Sequence, residues 1–240
     1  MSGKAHIRTV VSLAAIALAL GPASAQFGPP GGGGPPGGGP PHMDMGLMSY
    51  VDLAWAAVTL EVGAAPEQLA ALKPTFQQAF DDRKAIPNKM REGGDPEIIK
   101  STLESGRKQI QAKLKETLDG DQRTKLSQWQ KALAAKLKHS DDGERHGPPT
   151  EPALIYLDRT WSQLTFLVVP GEDAMKQLTP VYTQAWADRK AALLVKDDKE
   201  RTAKVAEIRQ TLVEKLTAVL SDDQLAQLQA PAFGPPPPPQ

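Results

Sequence analysis

The chain of 240 residues has no cysteine. That excludes a disulfide framework, thiol chemistry and thiolate-held zinc. Histidine is scarce, with four in the whole sequence, and no nucleophile elbow, metalloprotease helix or phosphate loop accompanies them. An enzyme is therefore not expected. Net charge is missing as well: 28 Lys and Arg balance 28 Asp and Glu. Removing Lys4 and Arg8, which sit in a leader-like start, leaves 26 basic residues against 28 acidic ones. Such a balance argues against a nucleic-acid binder, whose usual footprint is a basic domain. Long apolar runs are also lacking. The run Val10–Leu20 is well short of the roughly 20 residues that a spanning helix needs, so no stable membrane insertion is expected.

What is present begins with an export pattern. Lys4 and Arg8 precede that short apolar run, and Ala23-Ser24-Ala25 supplies small residues before Gln26. The spacing predicts a signal peptide over 1–25, cleaved near Ala25. Fourteen of the fifteen residues from Phe27 to Pro41 are Gly or Pro, as are seven of the ten from Pro231 to Gln240. No Gly-X-Y period runs through either tract, so collagen is excluded. We read 26–47 as a flexible Gly/Pro-rich arm and 231–240 as a stiffer Pro-rich tail, both disordered.

The middle is a tandem duplication. Tyr50–Ala85 aligns without a gap on Tyr156–Ala191, with 13 of 36 residues identical. Arg107–Gln128 then aligns on Arg209–Ala230. Shared landmarks include Tyr50/Tyr156, Asp52/Asp158, Trp55/Trp161, Thr59/Thr165 and Pro74/Pro180, and the run Asp-Arg-Lys-Ala recurs whole at 82–85 and 188–191. Repeat one covers 48–138, a polar linker 139–153, and repeat two 154–230.

Periodicity makes each repeat helical. The first helix, about 48–62, places Val51, Trp55 and Val58 on one face, mirrored by Leu157, Trp161 and Leu164. A second starts near Pro66 with Leu69, Leu72, Phe76 and Phe80 inward; its twin uses Met175, Leu178, Tyr182 and Trp186. Pro74 and Pro180 fall inside these helices, and a kink is expected at each. Asp95-Pro96 opens a third helix with Ile99, Leu103, Ile110, Leu114 and Leu118 along one face, paralleled by Val205, Ile208, Leu212, Leu216 and Leu220. A fourth, about 120–138, buries Leu126, Trp129, Leu133 and Leu137, and its twin is cut short near Ala230. The fold class is all-α: two tandem helical-hairpin units of three to four helices each.

The third-to-fourth junctions read Leu118-Asp119-Gly120-Asp121-Gln122 and Leu220-Ser221-Asp222-Asp223-Gln224. Both resemble the Leu-Thr-x-x-Gln motif of the periplasmic Spy/CpxP family, with Asp or Ser in place of Thr. Pro66-Glu67-Gln68, followed by Leu72-Lys73-Pro74, is similar to that family's other junction, whereas repeat two has Ala174 where the glutamine would stand. A capping box explains the same residues without any family, since Asp119 or Ser221 and the Gln three positions on satisfy orphan amides of a new helix.

The resemblance implies a periplasmic, ATP-independent chaperone or envelope-stress protein that holds unfolded exported proteins on a helical cradle. The duplication suggests that one chain forms the cradle as a pseudo-dimer, with a homodimer as the alternative. Lys and Arg stems cover apolar area while their heads stay wet, which nominates Arg83, Lys84, Arg107, Lys113, Arg189, Lys190, Arg209 and Lys215 as client contacts. The ordinary alternative is a solvated helix face or internal ion pairs, Asp52 with Arg83 and Asp158 with Arg189. Two other readings stay open. One is a metal-binding or metal-sensing protein: His42, Met43, Met45 and Met48 gather an imidazole and three thioethers suited to Cu(I), and His139 and His146 could hold zinc or nickel. The other is a structural or interaction protein with neither activity.

Overall fold

The computed structural model describes residues 45–138 and 155–229, with side chains from Leu47 to Leu133 and from Ile155 to Leu228. The expected signal peptide (1–25), linker (139–153) and tail (231–240) lie outside the described residues, as does the expected arm up to residue 44; its last three residues, 45–47, belong instead to the first helix. The described part is helical throughout, with no strand.

Repeat one contributes four helices. Helix α1 (Met45–Ala56) runs on into a π-helical stretch, Ala57–Val62, which ends at Gly63 with a left-handed φ of 70°. Helix α2 (Pro66–Arg91) has proline at its first position, where the missing amide costs nothing. The Asp95 carboxylate accepts the Glu97 amide at 2.8 Å and caps α3 (Pro96–Thr117), a contribution of about 1 kcal/mol. Helix α4 spans Gly120–Lys138. Repeat two follows the same plan. Helix α5 (Tyr156–Gln163) continues into π-helical Leu164–Val168. After it come α6 (Glu172–Leu193), α7 (Asp198–Val219), capped by Asp197, and the short α8 (Asp222–Gln229).

Both π-helical stretches fall at the same point of the repeat, so the duplication extends to an irregularity that periodicity does not reveal. Helices α2 and α6 run continuously through Pro74 and Pro180, and α2 also through Pro87.

The two repeats do not keep separate interiors. One apolar cluster includes Val51, Trp55, Phe76, Trp129, Trp161, Phe166, Tyr182 and Trp186, drawn from both. Helix α1 packs against α5, and each repeat's last helix covers its own π-helical stretch. A smaller cluster of Leu47, Ile86, Ile99 and Leu103 fills the far end of repeat one. Of the positions assigned to core faces, Leu69, Met175 and Ile208 are only half-buried, and Leu137 lies outside the residues whose side chains are described.

Candidate functional site

At the junction of the repeats, each π-helical stretch presents a threonine to the other repeat. Trp55 Nε1 donates to Thr165 Oγ1 at 3.1 Å, and Trp161 Nε1 donates to Thr59 Oγ1 at 2.7 Å. Each hydroxyl in turn donates a hydrogen bond to a tryptophan carbonyl of its own repeat, Thr59 to Trp55 at 2.8 Å and Thr165 to Trp161 at 3.0 Å. The two tryptophans and two threonines thus close a crossed ring. Reciprocal contacts of this sort are the signature of an isologous, twofold interface, here formed within one chain.

The Asp and Arg that both repeats share sit beside this junction. Asp52 pairs with Arg83 and Asp158 with Arg189, whose second guanidinium nitrogen adds a 3.0 Å bond. Asp158 is wholly buried and Arg189 is 2% exposed. The Arg189 guanidinium also lies over the rings of Trp186, at 4.5 Å, and of Trp129 from repeat one, at 5.3 Å. Burial pushes both carboxyl groups above the ordinary range, against the opposing pull of their arginines. The neighbouring Asp52 charge raises Asp158 further.

These contacts bear on the two readings of the paired arginines. Arg83 and Arg189 are each drawn inward against a buried carboxylate, so the internal pairs form, and at 2% exposure Arg189 has almost no surface to offer a client. Lys190 is tied across the repeats to Glu61 at 2.7 Å, and Glu61 also accepts Trp186 Nε1 at 2.7 Å. Partial burial alone would raise the Glu61 carboxyl, but the bonds from Lys190 and Trp186 outweigh it and hold it below its usual value. This clamp has no twin, since Leu167 stands where Glu61 would be repeated.

The other basic candidates remain at the surface. Arg107 and Arg209 are exposed, and each lies over a tyrosine ring, Tyr50 at 5.9 Å and Tyr156 at 4.7 Å. Lys113 pairs with Glu116 at 3.0 Å. Lys84 and Lys215 are exposed.

The motif residues do more than cap. Asp119 and Gln122 form the reciprocal box, at 2.8 and 3.0 Å. Ser221 and Gln224 repeat it at 3.0 and 3.3 Å. In repeat one, however, the Gln68 and Gln122 amides also bond each other in both directions at 2.9 Å, and Gln68 donates to the Thr117 carbonyl at 2.9 Å. The starts of α2 and α4 are therefore stitched together at the end of α3. Ala174 removes the stitch from repeat two.

Of the metal candidates, His42, Met43, His139 and His146 lie outside the described residues. Met45 opens α1, and Met48 is half-buried against the Leu47 cluster. Among the described residues no group of three or more His, Asp or Glu converges as metal ligands would.

One surface feature was missed by sequence reasoning. A groove of about 640 Å3 runs between α6 and α7, floored by Val181, Ala185, Ala192, Ile208 and Leu212. Its rim carries both signs of charge: Asp188 and Glu207 beside Lys204 and Lys215. The corresponding depression between α2 and α3, about 630 Å3, is more polar: Ser101, Thr102, Ser105 and Gln109 line it together with Asp82 and Glu97, and Ile98 is its one large apolar side chain. The duplication itself held the signal, in unlike residues at matched places. Gly106 in repeat one, whose Cβ would meet that of Ala79 at 3.4 Å, is replaced by Ile208 in repeat two.

Comparison of the chain with protein-family models, with curated proteins and with solved structures gives no match.

Proposed function

We propose that this chain is an exported, periplasmic chaperone of the Spy/CpxP type, working without ATP and holding unfolded or partly folded exported proteins. The observation that carries the reading is the meeting of Gln68 and Gln122. A capping box needs only residues three apart, yet these glutamines come from two separate motif-like junctions and join 54 positions apart. The junctions therefore act as one unit, which a pair of unrelated helix starts would not require.

The shared core supports a single chain serving as the whole cradle, since each repeat supplies the other with a hydrogen-bond acceptor and a lid of apolar side chains. No helix among the described residues is long and apolar enough to cross a membrane, which suits a protein released after export. The test is light scattering from a thermally unfolding client mixed with residues 26–240. Suppressed aggregation at equimolar dose without ATP is expected; an unchanged aggregation curve overturns the proposal.

A further inference from the structure

The matched grooves of the two repeats differ in chemistry far more than in size, and that difference selects an occupant. From Pro180 to Ala192 the α6 wall rises about 1.5 Å per residue, giving a length of about 18 Å. Extended polypeptide covers that length in five or six residues at about 3.3 Å each. The floor is aliphatic, with Ile208 and Leu212 of α7 facing the small side chains Ala185 and Ala192 of α6, so it accepts large apolar side chains without demanding a fixed pattern of polar partners.

Rim charge narrows the chemistry further. Asp188 and Glu207 oppose a phosphate backbone or other polyanion, and Lys204 and Lys215 oppose a polycation. Lys204 is partly neutralised by Glu200 at 3.0 Å. An apolar stretch flanked by charges of both signs is what complements such a rim, and this is the ordinary composition of a polypeptide that has lost its fold.

On these grounds we infer that the α6/α7 groove holds one extended apolar segment, five or six residues long, of a non-native polypeptide, and that the α2/α3 depression does not. This rests on the chaperone reading and makes it one-sided: client engagement belongs to repeat two. Repeat one is the poorer surface, because Thr102, Ser105, Gly106 and Gln109 occupy the places of Lys204, Glu207, Ile208 and Thr211, and an apolar segment laid there would meet Ile98 at one end and otherwise hydroxyls, an amide and acidic side chains.

The experiment titrates residues 26–240 into fluorescently labelled, reduced and carboxymethylated α-lactalbumin, a permanently unfolded chain, and reads anisotropy. Thr211→Trp places an indole in the groove from an exposed position on α7, and Gln184→Trp does so from the opposite wall; Gln109→Trp is the matched control in repeat one. Thermal unfolding identifies any variant that has lost its fold, so that the second wall remains as an independent probe. The expected result is binding weakened about tenfold or more by either groove variant, and changed less than about twofold by Gln109→Trp. Equal effects at all three positions, or none, overturn the groove assignment while leaving the chaperone reading intact. A parent chain that does not bind the unfolded polypeptide at all overturns both.

Discussion

Replacing Thr59 by valine keeps the shape of the side chain and removes one hydroxyl from the crossed ring. The lost group is the acceptor for Trp161 Nε1 at 2.7 Å and the donor to the Trp55 carbonyl at 2.8 Å. Trp161 is 5% exposed, so its orphaned N–H has no ready route to water. Leaving a buried donor unsatisfied costs about 1–3 kcal/mol. Thr165→Val carries the same kind of penalty through Trp55, with the lower part of the range expected because that bond is longer, at 3.1 Å. Urea unfolding of residues 26–240, followed by tryptophan fluorescence and far-ultraviolet circular dichroism, supplies both values. Because each threonine serves the opposite repeat, both probes should move together in one transition for either variant. Losses below about 0.5 kcal/mol for both, or a biphasic curve in which one repeat alone melts early, refute the view that the crossed bonds hold the repeats as one body.

Two further perturbations test other parts of the account. Val169 ends the second π-helical stretch with φ at 43°, where repeat one has Gly63 at 70°; a β-branched residue is strained there, so Val169→Gly should stabilise by about 1 kcal/mol in chemical denaturation, and no gain refutes the strain. Arg189→Met leaves the wholly buried Asp158 carboxylate without its counter-charge and should cost about 3–5 kcal/mol at pH 7, with Arg83→Met costing less because the Arg83 side chain is 13% exposed against 2% for Arg189. The pH dependence has a definite sign. With both carboxyl pKa values raised by folding, the native state holds protons that the unfolded chain has released, so this contribution is full below about 3.9 and is lost as pH rises through the raised values. Unfolding midpoints across that window should show a weaker acid gain in Asp158→Asn than in the parent; an unchanged slope contradicts the assignment.

Much of the fold was legible because helix periodicity and capping are local. Pro66, Asp95 and Gly120 mark helix starts through backbone chemistry that acts within four residues, and Leu72, Phe76 and Phe80 lie inward as their spacing requires. Partner choice was not local. Nothing in the spacing of Trp55 and Thr59 says that each bonds across to the other repeat, since a tryptophan on an apolar face reads alike whichever interior receives it. Arg189 looked like surface charge because its helix position is amphipathic on both sides, and burial depended on Trp129 arriving from another repeat to seal it. The π-helical turns were invisible for the same reason: the extra residue per turn is held by the crossed ring and by α4 and α8, not by the sequence of the turns. Ile208 kept the helical period of a core residue and still became groove floor, because the small Ala185 opposite leaves space beside it.

The central claim is that a single chain, by duplication, completes the helical body that carries the proposed activity. Sedimentation equilibrium of residues 26–240 across a wide dilution range tests it most directly, with circular dichroism recorded on the same samples. A folded monomer at every concentration is the predicted result. An obligate dimer or higher oligomer, or loss of helix on dilution, contradicts it, because the surfaces that Trp55, Trp161 and their threonines join would then have to be completed by another copy.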